Sequence, residues 1–173
     1  MHAFFALVEA GQAVVPAASL AASLAPEELA ALREARIVQP LASSAARSKK
    51  ADEEISVADL VRTLRALYDV DARGLTTPAS ASDSPVTIGW CGDGKDEREV
   101  VFVGRSRTAL LGVFARRRRT LVLLSTAQYL TGAQRAKHGT ADAFVAVEVL
   151  AEALNVREGK LVRASTPTAT VRR

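Results

Sequence analysis

Residues Val100–Ser125 read VVFVGRSRTALLGVFARRRRTLVLLS, and the fold turns on how this stretch is parsed. Val100–Val103 and Leu121–Leu124 are continuous apolar runs of β-compatible residues, each short enough for a strand buried on both faces. Between them, Gly104 leads into Ala109–Ala115, a segment of helical character that ends in four consecutive arginines. The pattern predicts strand, helix, strand, and if the strands are parallel neighbours the connection is a right-handed crossover. The second run, extended to Thr120–Ser125, is the expected central strand.

The same stretch, continued to His138, has an unusual charge. No acidic residue lies between Glu99 and Asp142, while Arg105, Arg107, Arg116, Arg117, Arg118, Arg119, Arg135 and Lys137 all fall inside it. Residues 1–100 carry 10 basic and 15 acidic side chains; residues 101–173 carry 13 basic and 4 acidic. A basic second half attracts polyanions or acidic protein surfaces through its field alone. Part of the arginine run suits a helix C-terminus, where the dipole favours cations. Four in a row exceed that need, and consecutive helical side chains fan around the axis, so at least two are expected to face solvent or a partner. Gly104–Thr108, with Arg105, Ser106 and Arg107, has the makings of an anion site at a helix start. It lacks P-loop and serine-elbow spacing, and two solvated arginines beside an ordinary cap are the plainer reading.

Upstream, Val86–Trp90 and Arg98–Gly104 read as two strands joined by CGDGKDE, with Gly92 and Gly94 in the turn. Asp93, Asp96 and Glu97 do not have EF-hand spacing, and a solvated hairpin tip is expected there. Ser56, with Asp59 three residues on and Ile55 and Leu60 flanking, starts a helix whose apolar face is Val57, Leu60, Val61, Leu64 and Leu67. Asp71–Pro85 is a long loop of mobile composition. Residues 41–54 read as a linker. Downstream, Thr126–Lys137 reads as a helix capped by Ser125 or Thr126, with His138 as a surface C-cap residue. Thr140 then caps a helix over Ala141–Leu154, although the alternation in FVAVEV leaves a strand open for its first part. NVREGKLVRAS reads as a hairpin turning at Gly159.

The first 40 residues give three short helices, 3–10, 17–24 and 26–36, with Pro26 at a first helical position and Glu27 and Glu28 in the first turn. PEELAALREARIVQP (Pro26–Pro40) resembles the last helix and exit of a winged-helix DNA-binding domain, through its Leu32-Arg33-x-Ala35-x-Ile37 ending. That resemblance implies a DNA-reading helix. Residues 1–46 hold only Arg33 and Arg36 against Glu9, Glu27, Glu28 and Glu34. Phosphate neutralisation is therefore poorly supplied, and a helical unit for packing or protein contact is favoured. A helix followed by a hairpin is also how a winged helix ends, and Arg157, Lys160 and Arg163 would then decorate a wing at the C-terminal hairpin.

Chemistry is thinly provided. A single cysteine, Cys91, excludes an intrachain disulfide and a cysteine-built metal centre. His2 and His138 are the only histidines, so no metal and no cofactor are expected. A Cys91–His138 nucleophile pair is possible in principle, with an ordinary buried thiol preferred. The N-terminal apolar run lacks a preceding Lys or Arg and is broken by Glu9, which argues against an export signal. A cytoplasmic setting without membrane contact is the expectation.

These readings combine into an α+β chain: a helical N-terminal unit over 1–40, a linker over 41–54, an α+β domain over 55–165 with a small mixed or antiparallel sheet, and a frayed tail over 166–173. The function expected is non-enzymatic binding of nucleic acid or another polyanion by the basic half. The sites are Arg105, Ser106, Arg107, Arg116–Arg119, Arg135 and Lys137. The alternative is an accessory or adaptor subunit of a bacterial assembly, docking through residues 1–40.

Overall fold

A computed structural model describes residues 1–41, 52–105 and 110–164. Its elements are α1 (His2–Glu9), β1 (Val14–Pro16), α2 (Ala17–Ser23), α3 (Pro26–Glu34), β2 (Val38–Pro40), β3 (Asp52–Ile55), α4 (Val57–Leu67), β4 (Val86–Cys91), β5 (Arg98–Val103), α5 (Leu110–Phe114), β6 (Thr120–Leu124), α6 (Gly132–His138), β7 (Val145–Val149), α7 (Leu150–Ala153), β8 (Leu154–Arg157) and β9 (Lys160–Arg163). This is an α+β protein, as its sequence pattern predicts.

The central sheet has the order β4-β5-β6-β7. β4 and β5 are antiparallel, whereas β5, β6 and β7 run parallel in the registers Val100↔Leu121 and Leu121↔Ala146. The expected strand–helix–strand unit is therefore present, and β6 is an interior strand. Side chains alternate across it. Val101, Val103, Val122, Leu124, Val145 and Val147 face α5 and form one core with Leu110 and Val113. Val100, Phe102 and Leu123 face the other way, into a core shared with α4 and with Phe4, Phe5, Leu20 and Leu32 of the N-terminal helices. Both faces of the sheet are covered, which is why these strands read as continuous apolar runs.

α4 starts as its sequence dictates. The Ser56 Oγ accepts from the Asp59 amide at 3.2 Å, and Ile55 and Leu60 are both buried around that cap. Val57, Leu60, Val61 and Leu64 form its inner face, and each buried Leu contributes about 2 kcal/mol of apolar transfer. Arg65, on the same helix, reaches the Ile88 carbonyl at 2.8 Å and Thr77 Oγ1 at 2.9 Å. It thereby ties the long 71–85 loop to β4.

The N-terminal unit holds the three expected helices and also a three-stranded antiparallel sheet in the order β1-β3-β2. Strand β3 begins inside the segment read as linker and ends on Ile55, just past it: Val38 pairs with Ile55 and Pro40 with Glu53. Three-residue strands such as VVP and VQP are too short for a period-2 pattern to show, so only pairing with β3 defines them. The rest of that linker, 42–51, lies outside the described residues, as does the tail from 165.

Two further expectations are corrected. The helix expected over 126–137 is confined to Gly132–His138. It starts at Thr131, whose Oγ1 accepts from the Gln134 amide while Gln134 Oε1 accepts from the Thr131 amide. That reciprocal cap places Gly132 at the helix start, where it costs little. The helix expected over 141–154 is mostly strand, because Val145–Val149 pairs along β6 and only Leu150–Ala153 is helical. β-Branched alternation plus a waiting strand edge overrides the 3.6-residue spacing. The C-terminal hairpin forms as expected, Arg157 pairing with Lys160 across Glu158 (φ 51°) and Gly159 (φ 76°), the two positive φ values that its tight turn requires.

Candidate nucleic-acid interface

The parallel topology decides where the cations go. Arg105 follows β5 and so lies at the C-terminal ends of the parallel strands. Arg116–Arg119 precede β6 and lie at the opposite, N-terminal end, one strand length or about 15–20 Å away. The acid-free stretch is thus continuous in sequence and divided in space. Ser106 and Arg107 lie outside the described residues. The Arg105 guanidinium is engaged by Asp83 at 3.2 Å, and α5, at five residues, is too short to offer a strong dipole.

At the N-terminal end, the arginine run separates into two kinds. The guanidinium of Arg116 pairs with Glu99 at 2.6 Å, and that of Arg119 with Asp96 at 3.2 Å. Glu99 also accepts from the Thr87 hydroxyl. Burial pushes the Glu99 carboxyl up, but hydrogen bonds from Arg116 and Thr87, with the charges of Arg116 and Arg118, outweigh it and hold the group below 4.5. Arg117 and Arg118 are exposed and have no carboxylate partner among the described residues. Two of the four arginines build the strand ends together, and two face water.

Parallel order brings other groups to this end. α6 runs back to it, bringing exposed Lys137, and its last residue corrects another expectation. His138 is 8% exposed, its ring stacks on Phe114 at 4.3 Å, and Nδ1 lies 2.8 Å from the Val145 carbonyl. It is a packing residue that joins α5 to α6. Phe144, just before β7, is 53% exposed and stands as the main uncovered aromatic of this end. Because β7 begins at Val145, Phe144 falls just outside the strand. Asp93 and Asp142 are exposed here too, so the net field is modest and contact with a polyanion would be local.

The remaining predicted cation, Arg135, pairs with Glu152 of α7. Cys91 and His138 are not brought together. Cys91 ends β4 at one edge of the four-stranded sheet, whereas His138 on α6 packs against Val145 of β7 at the other edge. Burial raises the Cys91 thiol against the charges of Arg98 and Arg163, which leaves it poorly ionised. Asp96 and Glu97 of the hairpin tip are occupied by Arg119 and Arg73. Among the described residues, no helix is long and apolar enough to cross a membrane. Comparison of the chain with protein-family models, curated proteins and solved structures finds no match.

Proposed function

We propose that the protein binds nucleic-acid phosphates, without performing chemistry on them, through the N-terminal end of its parallel strands. The observation that carries this is the pair Arg117–Arg118, exposed and without a carboxylate partner among the described residues, at the same end of the sheet as exposed Lys137 and the uncovered ring of Phe144. Cations on phosphates supply most sequence-independent affinity, and a nearby aromatic ring gives an unpaired base a surface to stack on. The reading narrows the expected site to Arg117, Arg118 and Lys137. Arg116, Arg119, Arg105 and Arg135 are assigned to internal ion pairs.

The N-terminal unit is given a supporting part. α3 leads into the antiparallel pair β2–β3, a helix followed by a hairpin, which fits the winged-helix resemblance better than the C-terminal hairpin does. Yet α3 lies against β8 and β9, its outward residues include Glu27 and Glu34, and Arg33 is spent on Glu53 at 2.6 Å. A helix so covered and so charged is a poor reader of a groove. The adaptor alternative has weaker support, since Phe4, Phe5, Leu20, Leu29 and Leu32, the apolar residues that would dock a partner, are buried in the protein's own core.

The test is a fluorescence-anisotropy titration with duplex and single-stranded DNA and RNA across a range of salt. Saturable binding with a salt slope that falls in Arg117→Ser/Arg118→Ser supports the proposal. Absence of binding at low salt, or a slope indifferent to those substitutions, refutes it.

A further inference from the structure

A cleft of about 470 Å³ opens at the β7 edge of the sheet, on the face opposite α5. Its floor is Leu121 and Ala146 with Glu148 beyond, and Leu130, Glu152 and Ala153 stand among its walls. The size is that of a small-molecule site, and the lining, largely apolar with a few charged groups, is of the usual kind.

Three arginines line it, and they differ in what they are free to do. Arg163 donates through Nε and Nη2 to the two oxygens of Glu148, at 2.9 and 2.6 Å, and its guanidinium lies 4.5 Å over the Tyr68 ring. The Tyr68 hydroxyl donates to the same carboxylate at 2.7 Å. This bidentate, stacked arrangement neutralises Arg163 and fixes it in place. Arg135 is neutralised by Glu152. Arg98 is different. It is half-buried and lines the cleft, one Nη1 donates to the Ala143 carbonyl at 2.8 Å, and no carboxylate pairs with it among the described residues. A guanidinium has five N–H donors, so most of its hydrogen-bonding capacity is left over. A partly desolvated cation without a counter-ion is stabilised by an anion that completes it.

We infer that this cleft binds a small organic oxyanion, with Arg98 holding the anionic group and Leu121, Leu130 and Ala146 receiving an apolar body. The bound Glu148 and Glu152 carboxylates leave one net positive charge among the cleft's ionised side chains, which matches a single anionic head. The cleft lies at the same end of the sheet as Arg117 and Arg118, but neither lines it, so Arg117→Ser/Arg118→Ser removes nucleic-acid binding while leaving anion binding in the cleft unchanged.

The experiment uses the full chain labelled with nitrogen-15 and follows amide shifts while phenylacetate, phenyl phosphate or inorganic phosphate is added. The first two probes distinguish a carboxylate from a phosphate head. The expected result is saturable shifts in Leu121, Ala146 and Glu152 with a Kd of about 1 mM or below for one of the two organic anions. Arg98→Gln, which removes the cationic donors, weakens it by about tenfold or more. Ala146→Leu, which fills the floor, also abolishes it, and both variants keep the wild-type pattern of dispersed resonances elsewhere. The inference is overturned if neither organic anion saturates by about 10 mM. It is equally overturned if folded Arg98→Gln binds as the wild type does, or if inorganic phosphate binds as tightly as the organic anions.

Discussion

The division of the arginine run into two cations paired with carboxylates and two exposed ones makes a sharp prediction. Take two double variants, Arg117→Ser/Arg118→Ser and Arg116→Ser/Arg119→Ser, which remove the same formal charge two residues at a time. Each phosphate contact contributes about 0.9 to the slope of log K against log salt for duplex DNA. Loss of Arg117 and Arg118 therefore lowers the slope by about 1.8 and, at 0.1 M salt, weakens binding by roughly 60-fold. Stability should barely change, because exposed side chains without partners contribute little. The other pair behaves in the opposite sense. Removing Arg116 strands Glu99, whose side chain is 14% exposed, and unpairing a mostly buried carboxylate costs about 1–3 kcal/mol. Its slope change should be small. Anisotropy titrations at four salt concentrations and urea melts of both variants give all four numbers. Equal slopes for the two variants, or greater destabilisation from Arg117→Ser/Arg118→Ser, would refute the assignment.

Four other outcomes follow from the same geometry. Phe144→Ala should weaken single-stranded binding by about 1–3 kcal/mol, the worth of one stacked base, and leave duplex affinity nearly unchanged in the same titration. Gly89→Ala should destabilise by more than about 2 kcal/mol in a urea melt, because at φ 149° its Cβ would lie 2.3 Å from the Asp71 carbonyl oxygen and break the Asp71–Trp90 bridge. Glu99 is held below the ordinary carboxyl value, so its contribution to stability is complete above about pH 4.5 and is lost as pH falls through the folded value. Melts from pH 6 to 3 should show this loss, and Arg116→Ser should reduce it. Burial, then the Glu148 charge, push the Tyr68 phenol far above 10, so its stabilising effect is present below that pH and declines as pH rises past it. In a Tyr129→Phe background, phenolate absorbance should appear only together with alkaline unfolding; a phenolate signal from the folded chain contradicts the Tyr68–Glu148 contact.

What the sequence determined by itself was local. The α4 cap at Ser56 and Asp59, the three N-terminal helices, the β4–β5 hairpin and the Gly159 turn are written in adjacent residues, and each formed as its neighbours dictate. The two apolar runs around α5 also carried enough information to place a strand–helix–strand unit. Long-range pairing decided the rest. VVP, VQP and DEEI have no strand signature, and they become a sheet only because each completes the others' hydrogen bonds. Val145–Val149 satisfied both a helical and an extended spacing, and the free edge of β6 chose between them. The charge followed the same rule. An acid-free sequence says how much positive charge there is, but its destination depends on strand direction, which set Arg105 and Arg116–Arg119 at opposite ends. It depends too on acids far off in sequence, since Glu99, Asp96, Asp83 and Glu152 selected which cations were neutralised. Only that selection left Arg117, Arg118 and Arg98 without a carboxylate among the described residues, because an ion pair is made by what folding brings within about 4 Å, whatever the spacing along the chain.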